Sequence, residues 1–431
     1  MAQTNVANGS NLALTQYSVA VTAQIIRAPG NVNSLTGPAP KLADAENNIK
    51  LQTNPGMPFV RVTDLSTDPK GDQVTVDAFD ITGGKPIMGD RNAEGRGQKL
   101  SSSSFTAKID LATFNVDAGG KMSRQRTRHD LRGLAKSQIA AYFPRFVWQR
   151  CLTHLAGARG AQAGQAWDVP LQTDADFADI MVNPVLAPTW NRHFVVNAGS
   201  LTQGGLQLGS LATTDVWKLS VLDDLAFMLD AMETKLPPPK FMGDQQASDN
   251  PLKAVLMLPP GSYNALITDI SSSTSNLRAY QAASLERAKF AGNHPIFIGE
   301  AGMWRNILVK KIDYSIYFNG GDSYNYVTVA NKLTATETAG TVAALDATHI
   351  AERGLLLGAQ ALARCEGASN SGVQASIIEN TYNAGRNFEY LGEFMGGELK
   401  FRFKFKNLAG DQEPTDNGVM VIDACATKRV L

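Results

Sequence analysis

The sequence predicts an α+β fold, and three observations predict it. Two runs of alternating polar and apolar residues flank a glycine-rich loop early in the chain. A long segment at helical spacing follows, and a strand of strict period two, "ELKFRFKFKN", returns near the end.

Residues 1–58 are rich in Asn, Ser, Thr, Ala and Gly and end in "TNPGMP". Such a segment has little to bury and reads as an arm rather than a core. "FVRVTDL" (59–65) and "GDQVTVDAFDI" (71–81) alternate as strands around the turn-like "STDPKG". Then comes "GGKPIMGDRNAEGRG" (83–97), with five glycines, followed by the strand run "SFTAKIDLATFNV" (104–116). Two strands around a polar loop predict a protruding hairpin. Ordering its fifteen tip residues costs roughly 1–2 kcal/mol each in backbone entropy, so an ordered tip needs contacts with something else.

"SRQRTRHDLRGLAKSQIAAYFPRFVWQRCLTHLAG" (123–157) carries the strongest helical signal. Leu131, Leu134, Ile139, Tyr142, Phe143, Phe146 and Leu155 recur near helical spacing, Ser123 can cap the start and Pro144 is expected to kink the middle. From Lys121 to Arg150 there are eight Lys or Arg against one acid, Asp130. That density reads either as a solvated face or as a surface for phosphates or acidic neighbours.

Residues 160–214 read as loop-rich, and "DVWKLSVLDDLAFMLDAMETK" (215–235) as an amphipathic helix stopped by "LPPPK". Between about 250 and 330, a buried strand, a helix opened by Pro260, a helix over 276–292 and strands in "PIFIGEAGMW" and "NILVKKIDYSIYF" predict a compact α/β portion. "DATHIAERGLLLGAQALARCEG" (346–367) reads as a further helix. In 398–407, Leu399, Phe401, Phe403 and Phe405 share one face, and Lys400, Arg402, Lys404 and Lys406 the other. Like charges then lie about 6.6 Å apart along that face. The face is either a gatekept, solvated one or a sequence-independent phosphate contact. "GVMVIDACATKRV" (418–430) is expected to pair with it.

Composition narrows the function classes. Forty basic and forty acidic residues in 431 balance, so affinity for nucleic acid has to come from a local patch. Three cysteines far apart argue against an oxidised framework and for a reducing compartment. No basic residue precedes Arg27, and no apolar run approaches the roughly 18 residues that span a bilayer, which predicts a soluble, cytoplasmic product.

Catalytic patterns are missing. A P-loop requires Ser or Thr after Gly-Lys, but Pro86 follows Lys85, and Phe79 stands where its first Gly belongs. The dinucleotide pattern begun by Gly95 and Gly97 ends at Leu100 instead of Gly. The five histidines are isolated, no zinc pattern or nucleophile elbow occurs, and the chain reads as a non-enzyme without cofactor or metal.

The order of arm, loop between strands, basic helix, α/β portion and closing strands resembles the major capsid proteins of tailed bacteriophages, with the HK-ninety-seven-like fold. "GKPIMGD" (84–90), "AGGKMSRQRTRHDLRGLAK" (118–136), "RGLLLGAQALARCEG" (353–367) and "EYLGEFMGGELKFRFKF" (389–405) are similar to the N4-like major capsid family. The resemblance implies an N-terminal arm (1–58), an extended β-hairpin loop (59–122), a peripheral domain with a spine helix (123–250), an axial domain (251–345) and a return to the peripheral domain (346–431). It implies self-assembly into hexamers and pentamers of an icosahedral head around double-stranded DNA, assembled in the host cytoplasm. Portal, scaffold and decoration proteins are the further partners. An encapsulin-like shell around protein cargo is the alternative. On this reading Lys85, Pro86, Gly89, Asp90, Arg91 and Arg96 are intersubunit contacts. Arg124, Arg126, Arg128, Arg132, Lys400, Arg402, Lys404 and Lys406 face DNA or acidic neighbours.

Overall fold

Short apolar runs rich in Val, Ile and Leu dominate the chain between residues 190 and 427, and most of them are buried on both faces in one sheet. The computed structural model describes residues 35–37, 56–63, 65, 71–79, 87–89, 94, 102–127, 129–161, 166–241, 252–281, 301–367, 374–407 and 410–428. In chain order it begins with β1 (Phe59–Val62), β2 (Gln73–Phe79), β3 (Ser102–Lys108) and β4 (Asp110–Gly120). Helices α1 (Lys121–Arg126), α2 (Leu131–Ala156) and α3 (Phe177–Met181) follow, then β5 (His193–Asn197), β6 (Ser200–Gln203) and α4 (Leu219–Ala231). Next come β7 (Ala254–Leu258), α5 (Pro260–Ser272), β8 (Ala301–Trp304), β9 (Ile307–Lys311), β10 (Tyr317–Phe318), β11 (Ser323–Val327) and β12 (Glu337–Thr341). The chain closes with β13 (His349–Leu357), β14 (Leu362–Glu366), β15 (Ala375–Tyr382), β16 (Asn387–Lys400), β17 (Arg402–Lys406), β18 (Gln412–Asp416) and β19 (Val419–Thr427).

The eight-stranded mixed sheet runs β6-β5-β19-β13-β7-β9-β8, with β10 added to β13. Side chains alternate across it. Phe194, Leu256, Leu258, Leu356, Met420 and Ile422 pack under α4 and α5, while Val255, Met257, Leu355, Leu357 and Val421 meet α2 on the other side. Covering both faces lets β7 be apolar throughout and β13 from Gly354 to Leu357, as central strands of a three-layer unit are. The sheet draws on 193–203, 254–318, 349–357 and 419–427, so it crosses the divisions at 250 and 345.

The second sheet runs β1-β14-β16-β15, with β4 on the far edge of β16. The long strand β16 pairs β15 over Asn387–Phe394, β4 over Asn387–Gly396 and β14 over Gly396–Lys400. Helix α2 lies across this sheet, where Gly392 has no side chain because a Cβ there would run into Ile139 and Phe143. Residues 35–37 run beside β1 through a parallel bridge from Thr36 to Phe59.

Several expectations change. The helix expected over 123–157 is two helices. Thr127 is extended, and Asp130, not Ser123, caps α2 by accepting from the Arg132 amide at 3.2 Å. Gly157 ends it at φ +66°, the left-handed conformation that favours glycine. Pro144 sits inside α2, which continues through it. Residues 346–367 are the strands β13 and β14, not a helix, and β19 pairs with β13 and β5 rather than with 398–407. The true partner of β17 is β18. Residues 274–281 are helical as expected, and the rest of 276–292 lies outside the described residues.

Candidate intersubunit and nucleic-acid interface

The hairpin read from the sequence is present. Strands β2 and β3 pair antiparallel from Gln73–Lys108 to Phe79–Ser102, with no third strand among the described residues. Of the tip residues singled out, Gly89 takes φ +68° with open space around it, which a glycine adopts without strain. Met88 beside it is exposed. Lys85, Pro86, Asp90, Arg91 and Arg96 lie outside the described residues.

The base of the hairpin is held by a residue the sequence did not single out. Asn183 accepts from the Lys108 amide at 2.8 Å, donates to the Lys108 carbonyl at 2.9 Å and donates to the Glu398 carbonyl at 3.1 Å. Gly397 lets this approach happen, since a Cβ there would strike the Lys108 carbonyl oxygen. Nothing in the loop-rich 160–214 marks one Asn as such a clamp. Beneath the hairpin, Phe105 of β3 packs edge-on against Phe401 and Phe403, with ring centroids 4.9 and 5.6 Å apart. The apolar face read from period two is therefore real, and it is the seat of the hairpin.

The cationic face of that strand is divided. Lys400 is 2% exposed, and its ammonium lies 2.8 Å from Asp416 Oδ2. Arg402 holds the other oxygen of Asp416 at 2.7 Å. The expected outward row of four cations is thus corrected to two, Lys404 and Lys406, both exposed. The reason is that β16 ends at Lys400 and the chain passes through buried Phe401 before β17 begins, so Lys400 belongs to the inner side of the five-stranded sheet. Burial lowers the Lys400 pKa to about 8 although Asp416 pulls it upward. Burial would raise Asp416, but Arg402 and Lys400 outweigh it and keep the carboxyl below its ordinary range.

The basic helical segment is divided too. Arg126 is exposed in α1, Arg124 lies on the same helix, and Arg128 is outside the described residues. Arg132 is turned onto its own sheet. Its guanidinium donates to Tyr390 Oη at 2.9 Å, pairs with Glu379 and stacks 4.1 Å from the Phe388 ring centroid. It fastens α2 to β15 and β16.

Deeper charges are also paired. Arg353 meets Asp423 through two bonds of 2.8 Å, and His193 Nε2 lies 2.7 Å from Asp423 Oδ2. Burial would raise Asp423, but Arg353 and His193 hold it at about 2. Arg150 on α2 pairs with Glu398 at 2.9 Å, and Arg61 with Glu366 at 2.5 Å. Among the described residues no His, Cys, Asp and Glu cluster could hold a metal. No described helix is long and apolar enough to cross a membrane.

A long helix laid on a sheet that extends into a two-stranded hairpin, joined to a mixed sheet covered on both faces, defines the tailed-phage capsid fold. The capsid of Ralstonia phage GP4 shares it at a TM-score of 0.68 and 22% identity, over 100% of this chain and 97% of that one. The cyanophage Pam1 capsid aligns at 0.56 and 16% identity, over 90% and 97% of the two chains. The Helicobacter pylori bacteriophage KHP30 capsid aligns at 0.55 and 11%, over 98% and 95%. The α+β, HK-ninety-seven-like expectation is borne out. A family model described as phage capsid protein matches residues 5–428, and the chain belongs to that family. Its function is that of a phage major capsid protein. No curated protein matches the sequence.

Proposed function

We propose that many copies of this chain, of the N4-like kind, close into hexamers and pentamers that tile an icosahedral head around double-stranded DNA. The observation that carries this is the hairpin 73–108. It is clamped at its base by Asn183 and has no third strand among the described residues. A two-stranded hairpin is marginal in water. Its support within the chain lies on the β3 side, where Phe105 rests on Phe401 and Phe403, so a neighbouring copy is the natural support for the rest. Lys85, Pro86, Gly89, Asp90, Arg91 and Arg96 then form the clasp on that neighbour, with Lys85 and Asp90 offering charges across the contact.

The work of the chain is structural rather than catalytic, and its place is the virion shell after assembly in the host cytoplasm. The arm is 1–58 and the extended loop 59–122. The peripheral domain comprises 123–250 and 346–431 and the axial domain 251–345, the two sharing strands of the eight-stranded sheet. DNA is met without sequence readout by Lys404, Lys406, Arg124, Arg126 and Arg128; Lys400, Arg402 and Arg132 support the fold instead. Portal, scaffold and decoration proteins complete the head.

Negative-stain electron microscopy with light scattering tests the assembly. Uniform shells tens of nanometres across, or rings of five and six, are expected, and deletion of 85–97 is expected to abolish them. A protein that stays monomeric with the phage's own assembly partners present rejects the reading.

A further inference from the structure

We propose that Phe227 on α4 of one copy seats against an apolar patch of Leu206, Val329 and Leu333 on the next copy, and that this knob-and-patch contact closes the ring of subunits. The inference rests on the self-assembly reading and names the two faces that meet.

Helix α4 buries Leu219, Leu222, Leu225, Ala226 and Leu229 against the eight-stranded sheet. Phe227 stands outside that stripe and is 71% exposed in the middle of the helix. One exposed aromatic is unremarkable by itself. The second observation is the patch. Leu206, Val329 and Leu333 are 64%, 58% and 40% exposed. Their two segments meet at Trp190: Gly204, two residues before Leu206, lies against it, and the ammonium of Lys332, between Val329 and Leu333, is 5.9 Å from the same ring.

The third observation is that knob and patch lie on opposite faces of one sheet. Phe194 and Val196 of β5 point into the α4 layer. Val195 between them points into the layer holding Leu208, Tyr324 and Tyr326, from which the patch emerges. The two features cannot meet within one copy. Two different, mutually fitting patches on opposite faces make a head-to-tail contact, the kind that closes into rings when the rotation allows.

Charge agrees with the pairing. Asp223, Asp224 and Asp230 surround Phe227 at helical spacings, and Arg305 and Lys253 offset two of them, leaving the rim net negative. The segment 328–334 that carries Val329 and Leu333 contains Lys332 and no acid.

The test is an Ala231→Cys, Ala330→Cys double variant, which keeps Phe227 and the patch and places exposed thiols beside each, assembled into shells and treated with a short bis-maleimide. The native Cys151, Cys365 and Cys425 are buried and do not compete. Denaturing gels are expected to show a ladder ending at five and six linked chains, while each single variant gives none. Dimers from Ala231→Cys alone, or uncrosslinked chains from intact double-variant shells, overturn the proposal while leaving the capsid reading in place. Absence of shells from the unmodified chain with its assembly partners overturns the capsid reading itself. Separately, Phe227→Ser with an unchanged melting curve is expected to lower shell yield at least tenfold; an unchanged yield overturns the contact.

Discussion

Lys400 and Asp416 form a buried ion pair 2.8 Å apart, Lys400 at 2% and Asp416 at 0% exposure, inside a strand whose sequence alternation places that lysine outside. Removing one partner of an isolated buried pair costs about 3–5 kcal/mol, but Asp416 keeps Arg402 at 2.7 Å when Lys400 is lost. Lys400→Gln is therefore expected to lower thermal and urea stability by less than that. Asp416→Asn, which strips both Lys400 and Arg402 of their carboxylate, should cost more than Lys400→Gln. A Lys400→Gln chain that melts like the parent removes the pair from the account.

Lys404 and Lys406 are expected to behave oppositely. Lys404→Gln with Lys406→Gln should leave the melting curve within about 0.5 kcal/mol of the parent, as surface changes do. In DNA-retention assays against salt, each lost phosphate contact should flatten the log–log slope by about 0.9. An unchanged slope means these lysines do not touch the genome.

Asn183→Ala deletes three hydrogen bonds to backbone at the hairpin base, each worth about 1 kcal/mol. Hydrogen exchange over 102–110 is expected to accelerate, while β7 and β13 in the other sheet keep their protection. Uniform acceleration across both sheets would show global unfolding instead of a local clamp.

Acid should destabilise the fold in two windows. Burial, helped by the nearby Arg150, lowers His154 from 6.5 to about 3, and burial also lowers His193. The unfolded chain takes up protons at these histidines first, so stability falls as pH drops below 6.5, by up to about 1.4 kcal/mol per unit for His154 down to about 3, with His193 adding in the same direction. Asp416 and Asp423 lie below 3.8 in the fold, so their contribution is present above about 4 and is lost as pH falls toward 2. Lys400 acts at the alkaline end. The unfolded chain keeps its proton up to about 10.5 while the folded one releases it near 8, so this group adds stability as pH rises between them. His154→Leu should flatten the curve between pH 6.5 and 4; an unaltered slope there rules out that histidine as the source.

Much of the fold was legible because its strongest local signals agree with the packing. The strand expected over 71–81, the helical spacing after Leu131 and the Pro260 helix start all appear where the pattern places them, while the run 104–116 is divided at Ile109 between β3 and β4. The greasy face of 399–405 also holds, since Phe401 and Phe403 are buried. Residues 346–367 misled because strands buried on both faces lose the period-two signature and are left with Ala and Leu, which favour helix. Gly354 and Gly358 were the available hint. A Cβ at Gly354 would sit 3.1 Å from Leu258, and one at Gly358 2.5 Å from the Pro237 carbonyl. The outward reading of Lys400 failed for a different reason: only the fold brings Asp416 beneath it. Asn183 was illegible for the same cause, because its partners are carbonyls and amides distant in sequence.

Asn183 and Gly397 grip the chain at Lys108, two residues before β4 begins and joins the sheet under α2. Ile109 is thus a fulcrum, with the hairpin and its seat on Phe401 and Phe403 on one side and eleven residues of sheet strand on the other. A seven-residue strand reaches about 23 Å, so a 5° tilt of the sheet swings the hairpin's far end by about 2 Å. The hairpin works as a lever arm: small rotations of α2 and its sheet are magnified at the far ends of β2 and β3.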